Sequence, residues 1–202
     1  MTRPLLVGIT GGIGSGKSTI SKVFEILKIP VYYADDRGKF LLTNDSSLKD
    51  QVVQSFGKES YNDDGSINRQ FLANEVFPDQ VKLDRLNSLV HPAVSQDFES
   101  WVRDNSTQKY LLKEAALLFE TGSYKSLDRT ICVLASKEIR MGRVLLRDEH
   151  RSGNDIDHIM SKQISDGQRK KLADYLLLNN GFELIIPQVL KIHEKLLERT
   201  LD

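Results

Sequence analysis

The residues best equipped for chemistry stand together near the start of the chain. Gly11, Gly12, Ile13, Gly14, Ser15, Gly16, Lys17 and Ser18 fit the pattern G-x-x-x-x-G-K-[ST]. Glycines at this density let the backbone bend so that successive N–H groups converge on phosphate oxygens. A helix starting behind them adds about half a positive charge at its N-terminus. Lys17 then reaches the β- and γ-phosphates, and the Ser18 hydroxyl is a ligand for Mg²⁺. The context fits as well. The apolar run Leu5-Leu6-Val7-Gly8-Ile9 precedes the glycines, and Ile20, Val23, Phe24 and Leu27 follow at helical spacing. Strand, loop and helix together read as a nucleoside-triphosphate cradle.

Three further groups invite a chemical reading. Asp35 closes the short apolar run Val31-Tyr32-Tyr33-Ala34, which reads as a second strand. In an open parallel sheet ligands sit beyond the carboxyl ends of the strands, so Asp35 is expected on the cradle's rim, where it can also cap a helix. Arg140, Arg143, Arg147 and Arg151 are spaced three, four and four apart. That spacing places all four on one helix face, as in a lid whose cations neutralise a transferring phosphoryl group. His91 precedes Pro92 at an expected helix break and, taken alone, reads as a structural hydrogen-bonding residue.

These residues need a scaffold, and the rest of the chain describes one. Strand character returns at Lys109-Tyr110-Leu111-Leu112, at Arg129–Leu134 and ahead of Asn179-Asn180-Gly181. Amphipathic helices separate these runs, the last one opening near Pro187. The alternation predicts a doubly wound parallel α/β sheet with helices on both faces, a three-layer α/β/α core. Helical patterns fill residues 37–106, with apolar stripes at Leu48–Phe56, Val81–Val90 and Val94–Val102. A block this long in place of a simple connection suggests an inserted substrate-holding subdomain. Ser165 and Gln168 fit a capping box.

Composition narrows the class. The 28 basic and 28 acidic residues cancel, so no global field favours nucleic acid or a membrane surface. The single cysteine, Cys132, lies in an apolar strand and reads as a buried free thiol in a reducing compartment. No zinc-type cluster is present, and no acid closes an apolar run in metal-binding fashion, which leaves Mg²⁺ coordination beyond Ser18 unassigned. Neither a signal peptide nor a membrane span is expected, so a cytoplasmic protein is anticipated.

The ordered set of motifs resembles the dephospho-CoA kinase family along nearly the whole chain. The matching pieces are Gly8–Thr19, Ala34-Asp35, Val90-His91-Pro92, Leu117-Leu118-Phe119-Glu120, Arg143 with Arg147-Asp148, Gln163, Ala173-Asp174 and Asn179-Asn180-Gly181. The resemblance implies ATP-dependent phosphorylation of the ribose 3′-hydroxyl of dephospho-CoA, with ATP and Mg²⁺ required. It implies a core at 1–36, 107–139 and 155–202, a helical CoA-binding insertion at 37–106 and a lid at 140–154. Catalysis falls to Asp35, Lys17, Arg143 and Arg147. ATP binding falls to Gly12, Ile13, Gly14, Ser15, Gly16, Lys17, Ser18 and Thr19, and Mg²⁺ to Ser18. Asp35, His91, Leu118 and Glu120 form the substrate side. The small-molecule substrate is the expected partner, without nucleic acid or membrane, for a monomer or small homo-oligomer. Two positions depart from the family pattern: Ala116 stands where proline is usual, and Arg140 where glutamine is often found.

Overall fold

Strand β1, Leu5–Thr10, is the centre of the molecule's sheet. The chain is described here from a computed structural model, for residues 3–198. It divides into two compact units, one of Met1–Tyr33 with Asn105–Asp202 and one of Ala34–Asp104.

In the first unit, β1 pairs in parallel with β3 (Tyr110–Glu114) and with β4 (Arg129–Leu134). Strand β2 (Val31–Tyr33) lies outside β3 and β5 (Tyr175–Leu178) outside β4, giving the order β2-β3-β1-β4-β5. All pairings are parallel, as expected for strands joined by helical crossovers. Alternation along each strand assigns the two faces. Val7, Ile9, Tyr110, Leu112, Ile131, Val133 and Leu177 pack against Ile20 and Phe24 of helix α1 (Lys17–Ile26). They also meet Val189, Ile192 and Leu196 of a C-terminal helix at Ile185–Glu198. On the opposite face Cys132 and Leu134 meet Phe119, Tyr124, Ile164 and Ala173. The sheet is doubly wound, as the strand alternation predicts.

Local signals set the boundaries. Helix α1 ends where Lys28 takes a left-handed φ of 64°. The amides of Lys28 and Ile29 return to the carbonyls of Glu25 and Phe24, a Schellman closure that leads straight into Pro30. Asp174 fixes the start of β5 on β4 by accepting from both the amide and the hydroxyl of Thr130, at 2.8 and 2.9 Å. The outer edge of β5 is blunted by Gln188, whose side-chain amide bonds the Leu178 N–H and carbonyl at 2.9 and 3.0 Å.

The second unit is helical: α2 (Ala34–Asn44), α3 (Ser46–Phe56), α4 (Arg69–Val76) and α5 (Gln80–Asp104). Asp45 and Asn68 cap α3 and α4 through the amides of Leu48 and Phe71. Leu41, Leu48, Val52 and Leu72 form its core. The expected break at His91-Pro92 does not occur, and α5 runs through it as one helix with Pro92 inside. Proline removes one helical hydrogen bond, but Leu86 and Leu89 before it and Ala93 and Val94 after it pack on the same core. Burial on both sides outweighs the local penalty. Arg37 ties α2 to α5 by a bidentate pair with Asp97, at 2.8 and 2.5 Å.

The remaining helices belong to the first unit: α6 (Lys137–Arg147), α7 (Gly153–Ser161), α8 (Asp166–Leu172) and the C-terminal α9 (Ile185–Glu198). The Ser165–Gln168 capping box opens α8 with both reciprocal bonds formed. No helix among the described residues is long and apolar enough to cross a membrane.

The amino end of β1 hangs on Asp128, which accepts from the Leu6 amide at 2.7 Å and from Arg3 at 2.7 Å through each of its oxygens. Burial alone raises the carboxyl pKa, but these hydrogen bonds and the Arg3 charge outweigh it and hold the pKa below its ordinary value. The resulting stabilisation is complete above the ordinary aspartate value of 3.8 and is lost as pH falls through the lower folded value. Asp128→Asn should therefore cost about 2 kcal/mol near neutral pH. Urea titrations of variant and wild type should converge as pH falls through that lower folded value.

Candidate active site

The loop between β1 and α1 is built so that its inner amides stay available. Gly16 occupies the N-cap of α1 in a left-handed conformation, φ 91°, and no side chain caps the first-turn N–H groups. Those orphan donors, with the helix dipole behind them, form an anion site. Gly14 is also left-handed, φ 77°, and any Cβ there would collide with the Arg140 carbonyl. A Cβ on Gly16 would meet the Asn179 amide. Lys17 donates from Nζ to the Gly11 carbonyl at 3.0 Å, which parks the ammonium against the loop. Ser18 and Thr19 are exposed on the first turn, whereas Ser15 is fully buried. The Ile13 N–H is held by Gln163 Oε1 at 3.0 Å.

The four arginines do not share one face. Arg140 is buried, with Nε donating to the Ala135 carbonyl at 3.1 Å and Nη2 to Asp166 at 3.4 Å. Arg143 points at the loop: Nη1 is 3.4 Å from the Ser15 carbonyl, and Nη2 donates to the Asn179 carbonyl and Oδ1 at 3.0 and 3.2 Å. Asn179 donates to the same Ser15 carbonyl at 2.8 Å. Helix α6 ends at Arg147, which is exposed and makes a bidentate contact with Asp148 at 2.8 and 2.9 Å. Arg151 lies past the helix end, 3.3 Å from Asp148. The spacing predicted a continuous stripe; the cap at Asp148 stops the helix before Arg151 can join it.

Of the residues expected on the substrate side, Leu118 is buried and Glu120 is tied into a hydrogen-bonded charge cluster. Leu118 is fully buried over Gly8 and belongs to the core. Glu120 accepts from the Ile164 amide at 3.1 Å and from Arg169 at 3.2 Å. Arg169 is 2% exposed and also pairs with Asp166 at 2.9 Å. Its burial was hidden in the sequence, because Arg169-Lys170-Lys171 looks like a solvated basic turn. Gln163 and Asn179 stood among the family-like pieces, yet their spacing gave no sign that both bond the glycine loop. In the second unit, Asp35 is the second residue of α2, exposed and directly after β2. His91 is exposed on α5 rather than at a helix end.

A family model described as "Dephospho-CoA kinase" matches residues 5–183. The chain belongs to the dephospho-CoA kinase family. The dephospho-CoA kinase of Salinibacter ruber is 36% identical over 87% of this chain and 88% of its own length. A crystal structure from Thermus thermophilus, TT1252, superposes with a TM-score of 0.83 at 26% identity, covering 98% of each chain. The dephospho-CoA kinase of Campylobacter jejuni has the same fold, with a TM-score of 0.71 at 21% identity over 96% of this chain and 98% of that one.

Within this family frame, the two departures have distinct environments. The carbonyl of Ala116 accepts from Thr10 Oγ1 at 3.4 Å. Arg140 is packed beneath Gly12, in a charge cluster with Asp166. The single thiol, Cys132, is buried and its pKa is pushed up to about 12, chiefly by that burial, so it is inert near neutral pH.

The Glu120 environment generates a direct test. Glu120→Ala leaves Arg169 with half its counter-charge and Ile164 without an acceptor, which should destabilise the chain by about 3 kcal/mol. Where the variant remains folded, its KM for dephospho-CoA should match wild type. A normal urea midpoint with a raised KM would return Glu120 to the substrate side.

Proposed function

We propose that the chain transfers the γ-phosphoryl group of ATP to the ribose 3′-hydroxyl of dephospho-CoA, giving coenzyme A and ADP. The observation that carries this reading is the uncapped glycine loop with Lys17 against it, in a chain that matches the dephospho-CoA kinase family over residues 5–183. Loop amides and Lys17 hold the β- and γ-phosphates. The 3′-oxygen attacks the γ-phosphorus as the bond to the β,γ-bridging oxygen breaks, and ADP leaves with that oxygen. Such transfer depends on positioning and charge neutralisation more than on covalent chemistry.

Asp35 accepts the proton of the attacking hydroxyl. Its support is its position directly after β2 at the start of α2, with its side chain exposed. A carboxylate within hydrogen-bond reach of a ribose hydroxyl contributes about 10²–10⁴ in rate. The second unit, with His91 exposed on α5, holds the CoA portion of the acceptor. Arg147 is the cation of the 140–154 segment that exchanges its Asp148 carboxylate for phosphoryl oxygens, while Arg143 steadies the loop.

The residues fit a nucleotide-borne Mg²⁺ rather than a protein-caged one. Among the described residues no three His, Cys, Asp or Glu side chains gather, whereas the Ser18 hydroxyl is exposed on the first turn of α1. Mg²⁺ favours this arrangement of phosphate oxygens, water and one or two protein oxygens. When bound, it neutralises charge between the β- and γ-phosphates.

Incubation with ATP and dephospho-CoA should add one phosphate to the acceptor by mass spectrometry, and nucleosides or shikimate should gain none. No product with dephospho-CoA would overturn the reading. Asp35→Asn should keep the wild-type affinity for ATP and lose about 10²–10⁴ in turnover. Lys17→Ala should weaken nucleotide affinity and turnover together, each by at least about tenfold. Isothermal titration with ADP and steady-state kinetics separate the two variants.

A further inference from the structure

We propose that Gln163 is a positioning residue for the phosphate loop, holding the Ile13 amide from outside the cradle. Its Oε1 accepts the Ile13 N–H at 3.0 Å, and Gln163 is half-buried just beyond the end of α7. The neighbouring residues fix where that acceptor sits. Ile164 donates its amide to Glu120 at 3.1 Å, and Glu120 is bound to the buried Arg169 at 3.2 Å. Ser165 then opens α8 through its reciprocal capping box. The other end of the same segment reaches the loop two residues later, where Arg143 and Asn179 both donate to the Ser15 carbonyl. The stretch from Arg143 to Gln163 therefore has one foot on Ser15 and one on Ile13.

The two feet use complementary backbone groups, an accepting carbonyl and a donating amide. A loop so rich in glycine has many backbone conformations, and each one excluded from outside leaves its inner N–H groups better aligned for an anion. Glutamine suits the second foot because it supplies an acceptor without a full negative charge close to phosphate. Gln163 acts through the loop and touches none of the reacting atoms, and the inference rests on the phosphate-binding reading of that loop.

The test uses the full chain with Gln163→Ala, Gln163→Glu and ADP as the probe. A neutral hydrogen bond worth about 1 kcal/mol predicts roughly fivefold weaker ADP binding and roughly fivefold faster amide exchange at Ile13 in Gln163→Ala. Exchange at Ile9 and Ile131, in the strands, should stay at wild-type rates, and so should the KM for dephospho-CoA. Gln163→Glu keeps an acceptor oxygen and should restore protection of the Ile13 amide. Unchanged Ile13 exchange or unchanged ADP affinity in Gln163→Ala overturns the proposal, as does uniform acceleration across the strands. A wild-type chain that fails to bind ADP overturns the phosphate-cradle reading and this inference with it.

Discussion

A phosphate cradle must be rigid without being satisfied. Its inner N–H groups have to remain free for an anion, so the usual way of fixing a loop, by pairing its own backbone, is unavailable on that side. The chain resolves this from outside. The Ser15 carbonyl takes donors from Asn179 and Arg143, the Ile13 amide takes an acceptor from Gln163, and the Arg140 backbone closes against Gly14. Each of these comes from beyond the carboxyl end of β4 or β5 or from the helices that follow β4. The parallel sheet is thus more than a platform: its strand order delivers the residues that hold the loop from behind.

Charge is organised under the same constraint. Arg140 and Arg169 are both buried near Gly12, where uncompensated cations would cost several kcal/mol of solvation. Asp166 contacts both and Glu120 contacts Arg169, so the pair of cations meets a pair of carboxylates. Neutralised there, the cluster does structural service beneath Gly12. Arg147 lies at the other extreme. Its side chain is exposed, and an ion pair formed there, as with Asp148, is worth at most about 1 kcal/mol.

The legible parts of the sequence were those whose signal is local. The glycine pattern, the apolar strand runs and the Ser165 capping box each depend on residues within a few positions, and each matches an observed element. What misled were patterns whose meaning depends on what covers them. The resemblance could assign Leu118 and Glu120 to the substrate side but could not reveal that Leu118 is fully buried and that Glu120 is bonded to Arg169 and the Ile164 amide. The arginine spacing was correct as far as Arg147, and then a single helix cap at Asp148 removed Arg151. Pro92 failed in the opposite sense, since a sound local rule was overridden by apolar contacts on both of its sides.

Asp35 combines both kinds of signal, which explains why its two readings need not compete. Helix α2 begins at Ala34, and Asp35 is its second residue. Asp35 and Asp36 in that turn stabilise the helix through its dipole by about 0.3–1 kcal/mol each. Two residues on, Arg37 locks α2 to α5 through Asp97. The backbone around Asp35 is thus fixed within the helical unit by α2 and by that clamp, while the carboxylate stays exposed. The first-turn position that makes Asp35 look structural leaves an exposed carboxylate for the base role proposed for it.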